Sequence, residues 1–319
     1  MDSSSLGQLS RSIQMSFKRL DNDYDIQIPT PNGFKSLDRG IVTDIENDMQ
    51  IIHRKLTSCM DDDQGEAFYH GGEASWHDIA YHRDVIRSDY ETIWHDRIGH
   101  RLEHLHSSIS AFVWLYHRPG SGGSTMAKRI MWDFCSKYPT VYLKKISDRT
   151  AERLKTLYGL SINMPLLIVT EINNSQISTI TLASLRTELI KKGIRALFIY
   201  ISRKNERVEG EEQFNFYLPD TPQMYLSAAS EDACNMYRKF SSFLDQELDA
   251  DRLADLINLT YSEEQYSDEL RQPFFYGLFT FGKDYRKIEE YVHRNLLVTS
   301  EQEKLMLEIL SFHTAYSET

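Results

Sequence analysis

The chain has 319 residues, 41% of them apolar, and a formal net charge of −11. That length suggests two domains with ample material for a core, and no apolar run approaches the ~18 residues of a membrane span. The negative balance argues against a broad electrostatic grip on nucleic-acid phosphates. The three cysteines, Cys59, Cys135 and Cys234, are scattered; they offer neither a zinc set nor a disulfide framework and fit a reducing cytoplasm.

Residues 1–65 are polar. The opening MDSSSLGQLSRSIQMSFKRL has no long apolar core and no small-residue cleavage site, so it does not read as a secretory signal. In FKSLDRGIVTDIENDMQIIHRKL, Leu37, Ile41, Ile45, Met49 and Ile52 recur at three- and four-residue spacing, which predicts one amphipathic helix. MDDDQGE reads as a solvated linker. It is followed by AFYHGGEASWHDIAYHRDVIRSDYETIWHDRI, rich in aromatics and histidines. His70, His77, His82 and His95 do not fall at the spacing of a helical metal-binding pair.

From residue 111 the pattern changes. The apolar runs AFVWLY (111–116), TVYLKKI (140–146), PLLIVTEI (165–172), IRALFIYI (194–201) and FNFYL (214–218) alternate with the helix candidates TMAKRIMWDFCSKY, DRTAERLKTLY and ISTITLASLRTELIKK. Strands separated by helices of this length predict right-handed βαβ units and a parallel five-stranded sheet covered on both faces. Beyond Pro222 the strand signal stops and 223–319 reads as helices. The expected organisation is an N-terminal helical and linker segment over 1–65, an α/β core with its lead-in over 66–220, and an all-helical lid over 221–319.

The segment HRPGSGGST, His117 to Thr125, follows the first strand candidate and opens a helix. That is the context of a phosphate-binding loop, G-x-x-x-x-G-K-[ST], in which backbone N–H groups cradle phosphate, the lysine reaches the β- and γ-phosphates and the hydroxyl ligates Mg²⁺. Here His117 stands at the first glycine and Gly123 at the lysine. Gly120, Gly122 and Gly123 can turn N–H groups inward, Ser124 occupies the metal position, and Thr125 falls where the α-phosphate is met. Lys128, Arg129 and Arg118 are candidates to replace the lost charge. A second feature lies at the end of PLLIVTEI, where Thr170-Glu171 stands in place of the paired acids of many nucleotide hydrolases. Glu171 is the candidate to orient water, and Arg203, ending the next apolar run, to sense the γ-phosphate. Loss of the lysine and of the first acid predicts slow phosphoryl transfer.

With these residues in place, the chain resembles the STAND class of signal-transduction P-loop NTPases, and more narrowly the NTPase region of the sterile-alpha-motif-domain-containing antiviral proteins and their bacterial defence relatives. The resemblance is carried by RPGSGGST with its glycine in the lysine position, by the following Met131-Trp132, and more loosely by FYHGGEASWHDI, DVIRSDYETI, PFFYGLFTFGKDYRKIEEYVHRNL and EQEKLMLEILSFHTAYS; it spans about 66–319. It implies ATP or another nucleoside triphosphate with Mg²⁺, held by Pro119, Gly120, Ser121, Gly122, Gly123, Ser124 and Thr125. It further implies base contacts at Val85, Ile86 and Arg87, and a lid approaching through Pro273. Protein partners or further domains of a signalling assembly, a nucleotide-dependent oligomer and a cytoplasmic, membrane-free setting belong to the same expectation. Thr170 departs from the pattern and puts hydrolysis in question. Two other readings stay open: a scaffold that binds proteins and no nucleotide, and a P-loop group-transfer enzyme, which the acidic NERVEGEE (205–212) opposes.

Overall fold

The computed structural model describes residues 26–57, 66–69, 73–88, 90, 95–105, 111–117, 120–172, 177–203, 224–225, 230–243, 249–261 and 271–281. An antiparallel hairpin, β1 (Gln27–Thr30) and β2 (Gly33–Ser36), leads into α1 (Arg39–Glu46) and β3 (Met49–Ile52). Among its described residues the lead-in holds three short helices, α2 (Glu66–Tyr69), α3 (Trp76–Ala80) and α4 (Asp96–Glu103). The α/β core runs β4 (Ala111–His117), α5 (Gly123–Phe134), β5 (Thr140–Leu143), α6 (Thr150–Leu160), β6 (Leu166–Glu171), α7 (Thr179–Lys191), β7 (Ala196–Arg203) and β8 (Met224–Tyr225). Helices α8 (Ser230–Phe243), α9 (Ala250–Tyr261) and α10 (Pro273–Phe281) follow.

The sheet order is β3-β5-β6-β7-β4-β8. All neighbours are parallel except the β3–β5 pair, in which Met49 lies opposite Leu143. Because helices cover both faces, successive residues of a central strand enter opposite cores. Leu197, Ile199 and Ile201 of β7 join Val113, Leu115, Ile130 and Phe134, whereas Ala196, Phe198 and Tyr200 join Phe112, Leu154, Leu182 and Leu189. Each fully buried Leu or Ile is worth roughly 1.5–3 kcal/mol, which explains why these runs lack the polar alternation of a one-sided sheet.

Two expectations change. The helix expected over FKSLDRGIVTDIENDMQIIHRKL is confined to Arg39–Glu46. Asp38 caps it by accepting from the Gly40 N–H at 2.8 Å, Asn47 closes it, and the chain then extends as β3. Leu37, Ile45, Met49 and Ile52 are buried all the same. Their spacing marked the right inward residues, but the free edge of β5 offered Met49–Ile52 a ladder of hydrogen bonds that a longer helix would forgo. The second change is at the opposite edge. The run 214–218 lies outside the described residues, and the strand seen beside β4 is Met224–Tyr225, within the stretch expected to be helical. The expected core strands over 111–116, 140–146, 165–172 and 194–201 are all present as β4 to β7.

A third apolar cluster joins Ala233, Met236, Tyr237, Phe240, Leu256, Phe275, Tyr276 and Phe279 of α8–α10 to Tyr69 of the lead-in. The segment 82–88 is tied to the same helices: Lys239 donates to the Asp84 carbonyl at 2.8 Å, and the Ser88 N–H donates to Asp232 at 2.8 Å. On its other side Asp84 is held by Arg129 of α5, whose Nε donates to it at 2.8 Å. Residues 82–88 therefore form a strap between the core and the C-terminal helices.

Candidate functional site: the loop between β4 and α5

The sequence forces the loop's local shape. Gly120 and Gly122 have φ of 80° and 81°, values an L side chain rarely adopts. Gly122 is the residue before α5, so the helix opens at once and its first N–H groups face the loop, as an anion cradle requires. Ser124 and Thr125 sit half-buried in the first turn of α5, and Ser121 is buried. Pro119 and Arg118 lie outside the described residues.

Distant segments converge on these glycines. A methyl group on Gly122 would stand 3.3 Å from Arg87 Nη2 and 3.7 Å from Pro273 Cγ. Arg87 is buried and donates to the Ser121 carbonyl, while Ile86 beside it is exposed at 41%. On Gly120 a methyl group would meet Gln272 Oε1 at 2.9 Å and Phe274 Cβ at 3.1 Å, and the Phe274 N–H donates to the Gly120 carbonyl at 3.2 Å. The structure thus brings Arg87 and Pro273 to the loop from opposite sides in sequence. Gln272 and Phe274 were not singled out from the sequence as loop contacts, since only the fold-back of α10 places them there.

The strand ends beside the loop hold the other candidates. In the parallel register His117 of β4 lies opposite Arg203 of β7, and Glu171 of β6 lies opposite Ile201. Glu171 and Arg203 form an ion pair at 3.5 Å, with side chains 28% and 64% exposed; such an exposed pair adds ~0–1 kcal/mol to stability. Thr170 is fully buried, and its hydroxyl donates to the Leu143 carbonyl at 3.1 Å. The position of the first acid is thus a tie between β6 and β5, and Glu171 stands as the carboxylate of this strand end. Burial, with the nearby negative charges of Glu171 and Glu73, pushes the Tyr142 phenol above its ordinary value.

Both cations of α5 are engaged away from the lysine's position. Lys128 Nζ is held by Glu73 at 2.6 Å and by the Ala74 carbonyl at 2.6 Å. Arg129 is buried among Asp84, the Ile79 carbonyl at 2.7 Å and Asp133 at 3.5 Å. Both fasten the lead-in to α5, a role that spacing along the helix could not reveal. Among the lead-in histidines, His77 stacks on Tyr81 with ring centroids 4.2 Å apart.

A strand, a glycine loop and a helix N-terminus within a mostly parallel, helix-flanked sheet give this chain an α/β core with the layout of the P-loop fold. No family model matches the chain. It is 30% identical over 115 residues to the human sterile alpha motif domain-containing protein 9-like and 28% identical over 146 residues to the human sterile alpha motif domain-containing protein 9. Those matches cover 34% and 41% of this chain and only 7% and 9% of the human proteins. Among solved structures, DnaA from Aquifex aeolicus bound to AMPPCP has a TM-score of 0.39 at 12% identity, covering 67% of this chain and 69% of its own. PCH-2 of C. elegans has a TM-score of 0.35 at 12% identity, covering 56% and 55%. Among the described residues no helix is long and apolar enough to cross a membrane.

Proposed function

We propose that this chain is a nucleotide-dependent switch of the STAND type, taking ATP with Mg²⁺, turning it over slowly or not at all, and serving in antiviral or anti-phage defence. The observation that carries the reading is the meeting of Arg87 and Pro273 on Gly122, because a ligand in this loop would touch the strap and the C-terminal helices at once. In this reading the N–H groups of Gly120–Thr125, with Pro119, hold the phosphates and Ser124 ligates the metal. Ile86 and Arg87 flank the base, Pro273 brings the lid, Arg203 senses the terminal phosphate and Glu171 orients water. Mg²⁺ would supply charge neutralisation between phosphates. Gly123 brings no cation and Thr170 no carboxylate, so the residues that drive fast phosphoryl transfer are missing. The glycine-lined cradle fits a phosphate chain: a Cβ at Gly122 would crowd Arg87. Switching follows if nucleotide favours one arrangement of core and lid over another. The defence setting is what the resemblance of the RPGSGGST loop implies, and the slight similarity to the two human sterile alpha motif domain-containing proteins agrees with that resemblance. Nucleotide-dependent self-association and protein partners belong to the same proposal.

Calorimetric titration with MgATP tests it. Binding should occur, weaken in Ser124→Ala and vanish in Gly122→Val, and nucleotide should protect peptides 84–90, 117–129 and 270–280 from hydrogen exchange. Equal affinity in both variants would remove the site. One observation favours a second reading, a scaffold without nucleotide: Gln272, Phe274 and Arg87 already engage the loop. Absence of heat from the unmodified protein would support that alternative.

A further inference from the structure

The loop departs from the usual pattern at its first position and at its lysine position, and the structure relates the two departures. His117 ends β4 and is 5% exposed. Its imidazole lies so close to Gly123 that the first side-chain carbon of any other residue there would stand 2.6 Å from Nε2 and nearer still to the ring carbons. A lysine at 123 would have to begin its side chain through that same point. Lys128 and Arg129 are held by the lead-in, whereas the imidazole is a nitrogen-bearing group set directly against the lysine's position.

We propose that His117 and Gly123 are one exchanged pair, in which an imidazole sent from the start of the loop takes the place of the lysine stem and supplies the N–H that meets nucleotide phosphate. The phosphate contact rests on the nucleotide reading above; the exchange does not. Imidazole carries at least one N–H in either charge state, so it can donate to a phosphate oxygen. It does so from a short, stiff side chain instead of a flexible four-carbon stem. A ring that served only as packing would be replaceable by phenylalanine, which has similar shape and no donor.

Two measurements decide the matter. In nucleotide-free melts, Gly123→Ala should lower Tm by several degrees, because the added carbon overpacks the ring. His117→Gly/Gly123→Ala should recover most of that loss. Losses that simply add would overturn the exchange. In MgATP titrations, His117→Phe should remain folded yet bind about tenfold more weakly, the loss of one ~1.4 kcal/mol interaction, and His117→Gly/Gly123→Lys should bind at least as tightly as the unmodified chain. Unchanged affinity in His117→Phe overturns the phosphate contact while the nucleotide reading survives. No binding by the unmodified chain overturns that reading together with the contact, and the melts still decide the exchange.

Discussion

Two arginine–aspartate clusters fasten early segments of the chain onto the core, one on each face of the sheet. On the face covered by α5, Arg129 holds Asp84 of the strap and approaches Asp133, which in turn accepts from the Tyr90 hydroxyl at 2.6 Å. On the face covered by α6, Arg153 holds Asp48 between α1 and β3 and reaches Asp44 at 3.0 Å. Asp48 also accepts from Ser147 and Thr150, each at 2.7 Å. In both, burial makes an unpaired charge costly, so the pair fixes a segment more firmly than an exposed pair could. They differ in what lies next along the chain. Arg87 follows Asp84 by three residues and touches the loop, whereas the Asp48 cluster leads to the β3 edge, away from β4 in the sheet order. Identical chemistry thus leads to the glycine loop in one place and to a sheet edge in the other.

The largest effect should come from breaking the first cluster. Asp84→Ala takes the nearest carboxylate from the buried Arg129 guanidinium, leaving it Asp133 at 3.5 Å and the Ile79 carbonyl, and should cost about 3 kcal/mol of stability. It should also weaken MgATP binding at least tenfold, since Arg87 loses its anchor; denaturant melts and titration measure the two together. A stability loss with unchanged affinity would show that the strap does not serve the loop. Asp48→Ala should cost about 3 kcal/mol and leave the affinity of the folded protein unaltered, which sharpens the contrast. An affinity loss there would collapse the distinction between the two faces.

A smaller effect concerns pH. Burial alone would raise the Asp48 pKa, but hydrogen bonds from Thr150, Ser147 and Arg153 outweigh it and hold the carboxyl below its ordinary value. Asp78 is lowered in the same way, its burial offset by Ser75 and Arg83. A carboxylate depressed in the folded state contributes stability that is fully present above its unfolded pKa, about 3.9, and is lost as pH falls through the folded value. Stability should therefore decline below about pH 4, and Asp48→Asn should flatten that decline in acid-denaturation curves. An unchanged acid limb would show that other carboxylates govern it.

Much of the core could be read from the chain because its signals are local. Short apolar runs alternating with helices gave β4 to β7 and α5 to α7, and the glycine spacing marked the turn into α5. The helix expected through Ile52 failed for a reason spacing cannot carry: residues 49–52 suit either a helix face or a strand, and the open edge of β5 decided. The site was legible in part. Glu171 and Arg203 end apolar runs, and the register of β6 and β7 brings them together. The partners of Lys128 and Arg129 were not legible, because a helix position says which way a side chain leaves, not which carboxylate awaits it.

By itself, then, the sequence determined the α/β pattern, the position of the glycine loop and the loss of lysine and acid at 123 and 170, since each depends on the order of neighbouring residues. Tertiary structure alone decided that His117 fills the space above Gly123, that Arg87 and Pro273 meet at Gly122, and that Gln272 and Phe274 lie on Gly120. Those contacts join strand ends, strap and C-terminal helices through packing of buried clusters, and short-range spacing carries no record of which surfaces such packing will bring together.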